Sequence, residues 1–256
     1  MTGKPKKKKS APDSFKDRAY RKIIAADNLV ATEIKVRETD LHILAARDLT
    51  REATHLVVQY RNQLEQYIAT HAKFLTSLLP VPFDNLAPPI AKDMMRAGAA
   101  AQVGPMAAVA GAIAEFVGKG LLTHEINEIM VENGGDIFLQ KKNNCTVSIF
   151  AGDSPLSYKV GLAIPSRQMP LGICTSSGTV GHSLSLGSAD SVTVLAPSTS
   201  LADAVATRLG NEIIKADDIN RALGVAKSIT GIIGAVIIRG DQLGAWGDIE
   251  LVGLDD

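Results

Sequence analysis

The stretch Ser191–Gly210, SVTVLAPSTSLADAVATRLG, decides the fold because it passes from a β-rich run into a helical one. Ser191–Leu195 alternates β-branched and smaller residues and predicts a strand. Ser200–Lys215 predicts a helix. A strand and a helix therefore follow each other after a short connection, and other strands and helices are predicted on both sides of this stretch.

The remaining elements are predicted from hydrophobic period and from turn residues. β-rich runs predict strands at Tyr20–Ala25, Leu29–Val36, Leu41–Ala46, Glu128–Val131, Ile137–Lys141, Thr146–Phe150, Lys159–Ile164, Ala235–Arg239 and Ile249–Val252. Helical patterns predict helices at Thr50–Leu79, Ile90–Ala101, Gly104–Val117 and Asp217–Lys227. The order is strands, helices, strands, helix, strands, which predicts an α+β fold with mixed sheets packed with helices.

Charge is balanced over the 256 residues, with 27 basic and 27 acidic side chains. This balance argues against attraction of the whole surface to nucleic acid, so we expect no nucleic-acid partner. A run of lysines between Lys4 and Lys9 contains no aromatic residue that could stack on a base. Residues 1–17 are predicted to be a disordered basic tail, followed by a single domain over residues 18–256.

Neither an export signal nor a membrane span is predicted. No apolar segment follows the basic tail. Ala97–Val117 approaches the length of a span, but it consists mainly of alanine and glycine and has polar breaks. The two cysteines, Cys145 and Cys174, form no C-x-x-C pair, which favours reduced intracellular thiols. We therefore expect a soluble cytoplasmic protein without a membrane partner.

The first candidate for chemistry is Val131–Ile137, VENGGDI. The adjacent glycines Gly134 and Gly135 let the backbone turn where a side chain would clash, and Asn133 and Asp136 place polar groups beside them. One interpretation is a loop that faces a ligand, with backbone amides next to a phosphate or a ring. The alternative is a tight hairpin, since Gly-Gly is an ordinary hairpin pair.

The second candidate is the loop CTSSGTVGHS at residues 174–183. Its N–H and hydroxyl groups can bind an anion, and the candidate residues are Thr175, Ser176, Ser177, Gly178 and Thr179. His182 would lower the pKa of the Cys174 thiol if the fold brings the two together, which makes both residues catalytic candidates. The alternative is a polar surface loop with a buried, inert cysteine.

The third candidate combines Asp203 and Thr207, which lie four residues apart and so on one face of the predicted helix. A carboxylate and a hydroxyl oxygen suit a hard cation such as Mg²⁺, which takes few protein ligands. Alternatively, Ser200 and Asp203 fit a capping box at the start of the helix. The first turn of the helix over Gly104–Val117 could also hold an anion, or its small residues could serve tight helix–sheet packing.

These segments, taken in order, resemble the ApbE superfamily of FAD-dependent FMN transferases over roughly residues 104–215. The segments that carry the resemblance are GPMAAVAGAIAEF, ENGGDI, TSSGT, SVTVLAP and ADAVAT. The resemblance implies an ApbE-like, T-fold-related architecture. It also implies that Asp203 and Thr207 hold Mg²⁺ beside the pyrophosphate of FAD or a related nucleotide.

The chain departs from the family pattern in its first helix. The family lysine and aspartate are missing, and Ala108, Ala110 and Gly111 stand in their place. The sequence GHSLSLGSAD replaces a longer family segment before the last strand of the motif. The chain therefore looks like a small cytoplasmic ApbE-like branch, which has been associated with sulfide assimilation in methanogens.

Three functional hypotheses follow. The first is a Mg²⁺-dependent flavin-nucleotide transferase, or a related protein with a pocket for a small phosphate ligand. The second is a sulfur-assimilation protein that uses Cys174 as a reactive thiol. The third is a non-catalytic ligand-binding or assembly module, with a homodimer as its possible form.

Overall fold

The structure, a computed structural model, describes residues 29–123, 125–179 and 187–254. Its strands are β1 (Val30–Val36), β2 (Thr39–Ala45), β3 (Ile129–Asn133), β4 (Asp136–Gln140), β5 (Cys145–Ser148), β6 (Val160–Ile164), β7 (Leu171–Ser176), β8 (Ser191–Ala196), β9 (Gly234–Arg239), β10 (Gln242–Gly247) and β11 (Glu250–Gly253). Its helices are α1 (Thr50–Thr70), α2 (Ala72–Thr76), α3 (Pro89–Ala101), α4 (Val109–Leu121), α5 (Thr199–Glu212) and α6 (Ile219–Ser228).

The described strands form two antiparallel sheets. The large sheet has eight strands in the order β1-β2-β3-β4-β7-β8-β9-β10, and the small sheet has three in the order β11-β6-β5. The chain leaves the large sheet after β4, forms two strands of the small sheet and returns as β7. This detour places β4 and β7 side by side, with Asp136 opposite Cys174.

The large sheet is covered on both faces, which gives three layers. On β8, Val194 belongs to the core shared with the helices, whereas its neighbour Leu195 belongs to the core shared with the small sheet. Ile237 and Ile238 on β9 divide in the same way. Successive side chains of a strand point to opposite faces, so a sheet buried on both sides needs apolar residues at consecutive positions. The expected α+β fold is confirmed.

Helices approach the sheet closely where glycine removes a side chain. A Cβ atom on Gly172 of β7 would lie 2.4 Å from the Cα atom of Thr199, at the start of α5. A Cβ atom on Gly118 of α4 would lie 2.2 Å from the ring of Phe138 on β4. Glycine at these two positions therefore permits tight helix–sheet packing.

The structure differs from the sequence prediction in several elements. The single helix predicted over Thr50–Leu79 is wrong, because His71 has a non-helical backbone (φ −131°, ψ 63°) and separates α1 from α2. β7 and β10 were not predicted, since each contains glycine, which has low strand propensity. A 3₁₀ turn at Pro105–Ala108 precedes α4. The strand predicted at Tyr20–Ala25 and the tail at residues 1–17 lie outside the described residues.

By length and composition, no single helix in the described ranges qualifies as a bilayer span. The pair Pro89–Ala101 and Pro105–Leu121 meets those criteria only jointly, and it is bent by 105°.

Candidate functional site

Helices α4 and α5 cap each other with carboxylates. The Gly111 N–H donates to Oδ2 of Asp203 at 2.8 Å, so the acid of α5 binds the first turn of α4. In return, Oε2 of Glu115 on α4 accepts the N–H groups of Thr199 at 2.7 Å and Ser200 at 3.2 Å. Free N–H groups at a helix start attract negative charge. At the start of α4, the position predicted for a bound anion is therefore occupied by the Asp203 carboxylate.

The capping box predicted for Ser200 and Asp203 is wrong. The N-cap of α5 is Ser198, whose hydroxyl oxygen accepts the N–H of Leu201 at 3.2 Å. The Ser200 hydroxyl instead donates to the Asp93 carboxylate on α3. Asp203 lies in the second turn of α5, and its carboxylate is free of any role in capping its own helix.

Asp203 and Asp136 form a buried acid pair. Their exposed fractions are 9% and 7%, and neither forms an ion pair with a described cation. Burial raises the pKa of Asp203 to about 7, although the N–H groups of Gly111 and Ala110 bind the charged form and oppose the rise. Burial, and then the charge of Asp203, raise the pKa of Asp136 well above its usual value. Two acids in this position favour proton uptake or a cation.

Cys174 lies directly beside this pair. Its thiol is fully buried and donates to the Thr199 carbonyl at 3.3 Å. Burial, followed by the charges of Asp136 and Asp203, raises the pKa of Cys174 well above its usual value. The expected lowering of the Cys174 pKa is therefore wrong, because the neighbouring charges are negative. His182, the proposed activator, lies outside the described residues, and its catalytic role stays a prediction.

The glycine turn is a two-residue hairpin that connects β3 to β4. Gly134 and Gly135 have φ angles of +69° and +106°, which glycine adopts without strain. The hairpin interpretation is confirmed, and the turn is also fixed to its surroundings. The Thr175 N–H donates to the Gly135 carbonyl at 3.2 Å, and the Asn133 side-chain amide donates to the Ala110 carbonyl at 3.0 Å. A ligand-facing role for the turn stays a prediction.

The predicted anion loop divides into two parts. Thr175 stays near the acid pair through its bond to Gly135, and its hydroxyl bonds the Thr193 hydroxyl at 2.9 Å. Farther along β7, a Cβ atom on Gly210 would lie 3.4 Å from the Ser176 hydroxyl oxygen. Gly210 follows Asp203 by two turns of α5, which is about 10 Å along the helix. Ser176 therefore lies toward the C-terminal end of α5.

Ser177, Gly178 and Thr179 form their hydrogen bonds away from the acid pair. The Thr179 hydroxyl donates to Asp190 at 3.2 Å, and the Gly178 N–H donates to the Ala189 carbonyl at 2.9 Å. Asp190 also accepts the N–H of Gly240 at 2.6 Å, which ties this loop to the β9–β10 turn. The candidate ligand-binding residues therefore separate into two places, with Gly135 and Thr175 beside the acid pair and Thr179 beside Asp190.

Several site residues were missed by sequence reasoning. Glu115 carries a sequence signal, since it is the one acid in the α4 sequence VAGAIAEFVGKGL. Because Glu115 lies four residues before Lys119, the sequence predicts an ion pair on the helix surface. The structure contains this ion pair in addition to the cap on α5. The roles of Thr193 and Asp190 have no local signal, because both depend on contacts between separate strands and loops.

The acid pair fits a cation in charge and in ligand type. Asp203 supplies a carboxylate, and Thr207 lies one turn later on α5, half-buried. Mg²⁺ keeps several waters and takes one or two carboxylates, so a small ligand set suffices. Within residues 29–123, 125–179 and 187–254, no group of three or more His, Cys, Asp or Glu side chains forms a metal cluster. A cation held at these residues would therefore need water or a ligand to complete its coordination.

The family model described as AbpE bacteria matches residues 21–240. The chain belongs to this family. UPF0280 proteins are similar over almost the whole length of the chain. The one from Methanococcus aeolicus is 39% identical over 234 residues, covering 89% of this chain and 94% of the relative. The one from Methanocaldococcus jannaschii is 40% identical over 229 residues, covering 87% and 93%. The expected ApbE-like branch is confirmed for this AbpE-family chain.

Solved structures show the same fold for this AbpE-family chain. The flavin transferase ApbE from Vibrio cholerae superposes with a TM-score of 0.58 at 14% identity, covering 85% of this chain and 96% of that one. The apo form of the Pseudomonas stutzeri flavinyl transferase ApbE gives a TM-score of 0.55 at 14% identity, covering 85% and 93%. At this identity the likeness concerns the fold alone. It confirms the ApbE-like architecture of the three layers.

Proposed function

We propose that this AbpE-family chain binds a flavin nucleotide or a related phosphate ligand together with Mg²⁺ at the acid pair, and that it acts as a Mg²⁺-dependent transferase. The observation that carries the proposal is the burial of Asp136 and Asp203 side by side without a described cationic partner. An uncompensated pair of buried acids is costly for a fold to retain. A divalent cation shared with a phosphate would supply the missing positive charge.

The chain's own residues orient such a ligand. The Gly111 N–H binds Oδ2 of Asp203, which fixes the direction of this carboxylate at the start of α4. Thr207 adds a hydroxyl oxygen on the same helix face. The turn at Gly134 and Gly135 has no side chain that would keep a ligand away from its backbone. When bound, Mg²⁺ would neutralise the pyrophosphate charge and stabilise the charge that develops during its cleavage.

Contacts within the site explain why the missing family lysine and aspartate matter. Gly111 stands in this region, and a Cβ atom there would lie 2.5 Å from the Thr199 carbonyl oxygen and 2.8 Å from the Asp203 Cβ atom. The close approach of α4 and α5 therefore excludes a larger side chain at Gly111. In this chain, backbone N–H groups and hydroxyls would replace the contacts that the family lysine makes with its ligand. Because these groups donate hydrogen bonds, the proposed ligand is one with several acceptor oxygens.

The sulfur hypothesis has less support. A thiolate is the reactive form of cysteine, and burial beside two acids keeps Cys174 in the thiol form. Its hydrogen bond to the Thr199 carbonyl gives it a structural role between β7 and α5. The alternative prediction, a buried and inert cysteine, agrees better with these contacts.

The proposal is tested by calorimetric titration of FAD into the protein with and without Mg²⁺. We expect wild-type protein to bind FAD at least ten-fold more tightly with Mg²⁺, and Asp203→Asn to lose this difference because it removes the charge and keeps the shape. Asp217→Asn is the matched control, since its side chain is 80% exposed and pairs with Lys215 on the surface. Absence of FAD and FMN binding by wild type at millimolar concentration would contradict the proposal.

A further inference from the structure

The segment from the last residues of α2 to the start of α3 exposes several large apolar side chains. Within residues 75–86, which we call the leucine loop, five large apolar side chains are exposed: Leu75 (50%), Leu78 (61%), Leu79 (69%), Phe83 (44%) and Leu86 (94%). The other exposed large apolar residues of the described chain are spread singly over distant elements: Val30, Val58, Ile214 and Leu251. Single exposed apolar residues are normal, whereas a contiguous cluster marks an interaction surface.

The leucine loop is held in a defined conformation. The Gly104 N–H donates to the Leu78 carbonyl at 3.0 Å, and a Cβ atom on Gly104 would lie 1.8 Å from the Ser77 carbonyl oxygen. At the other end, the Asp84 carboxylate accepts the Leu86 N–H at 2.8 Å and the Tyr67 hydroxyl at 3.1 Å. These bonds fix the backbone of the loop near both of its ends. The loop is therefore preorganised for an external contact, which lowers the entropy cost of binding.

Charge at the edge of the leucine loop argues against an anionic partner. The Lys92 ammonium donates to the Asn85 carbonyl at 3.1 Å. The Arg96 guanidinium lies 5.0 Å from the centre of the Phe83 ring. Both cations of α3 are thus engaged within the loop, and they extend its apolar surface with their stems. The surface of the loop therefore consists of leucine, phenylalanine and a stacked arginine, and its charge is low. Such a surface suits a protein partner of the same composition better than a layer of lipid headgroups.

We infer that the leucine loop is the surface through which two copies of this chain pair about a two-fold axis. A surface that meets a second copy of itself must be self-complementary, and an apolar patch without strong net charge fulfils this condition. The five side chains together expose the equivalent of about three fully exposed residues. Two such patches bury on the order of 1,000 Å², which reaches the lower size of a specific interface before the flanking prolines are counted. This interface is independent of the proposed flavin site.

The inference is tested by sedimentation equilibrium of the full chain from about 1 to 100 µM. We expect wild type to be a dimer, and Leu86→Ser to weaken dimerisation at least ten-fold. The double variant Leu79→Ser/Leu86→Ser is expected to be monomeric throughout. Both substitutions replace exposed side chains, so circular dichroism and thermal midpoint should match wild type. Ile214→Ser is the matched control, because its side chain is 62% exposed at the end of α5, and it should remain dimeric.

Two outcomes would overturn the inference: wild type is monomeric at 100 µM, or the double variant dimerises as tightly as wild type. If wild type is monomeric and the leucine loop is needed for sedimentation with vesicles of phosphatidylcholine and phosphatidylglycerol, the loop is assigned to a membrane surface instead. FAD titration of the monomeric variant separates this test from the proposed function, since the two sites share no residue.

Discussion

At the scale of single residues, the acid pair makes stability depend on pH. Asp203 has a pKa of about 7 in the folded state against 3.8 for an ordinary aspartate. The folded state therefore binds more protons between these values, so the free energy of unfolding falls as pH rises from about 4 to 7. The stabilisation by the bound proton is complete below the unfolded pKa and is lost once pH exceeds the folded pKa.

We predict that Asp203→Asn flattens this part of the pH profile. Asparagine keeps an oxygen for the Gly111 N–H and cannot ionise, so the variant should be more stable than wild type at pH 8 and similar to it at pH 4. The difference should grow by at most about 1.4 kcal/mol per pH unit. Urea midpoints from pH 4 to 8 provide the measurement, with Asp217→Asn as control. Parallel profiles for wild type and Asp203→Asn would show that the acid is not buried as described.

At the scale of elements, the contact between α4 and α5 depends on Gly111. We predict that Gly111→Ala destabilises the protein by about 1–3 kcal/mol, because its Cβ atom would overlap the Thr199 carbonyl and force the helices apart. The matched control is Gly224→Ala in α6, where no atom lies within 4 Å of the new Cβ position. That control should gain about 0.5–1 kcal/mol from helix propensity. Denaturant unfolding measures the stability of both variants. Equal changes in the free energy of unfolding would contradict the close contact between α4 and α5.

The sequence could predict elements with a strong local pattern, and it failed where tertiary contacts overrule local preference. β8 and α5 were predicted because the period changes clearly within one stretch. β7 was missed because Gly172 weakens its strand pattern, and that glycine exists to admit α5. Asp203 was predicted as a metal ligand from its spacing to Thr207 and from the family resemblance. Its partners Gly111 and Asp136 are distant in sequence, so neither periodicity nor spacing could place them beside it.

At the scale of the whole molecule, the small sheet is an integral cover for the large one. Leu162 on β6 is fully buried between the two sheets, whereas Leu251, its cross-strand partner on β11, is 37% exposed at the edge. We predict that Leu162→Ala lowers the free energy of unfolding by about 2–5 kcal/mol in a single transition. Leu251→Ala should cost clearly less, since less apolar contact is lost. An early separate transition in Leu162→Ala, seen by comparing fluorescence with circular dichroism, would show that the small sheet unfolds independently.

The mutual capping of α4 and α5 has a consequence for how the chain is synthesised. The Gly111 and Asp203 positions are separated by 92 residues, and Glu115 and Thr199 by 84. On the ribosome, the Gly111 N–H and the Glu115 carboxylate of α4 therefore lack their hydrogen-bond partners until α5 has left the exit tunnel. Contacts between residues so far apart in sequence slow folding. The apolar faces of helices and sheet then remain accessible to chaperones for longer. Emergence of α5, rather than emergence of the first half of the chain, should be the event that allows α4 and α5 to close on each other.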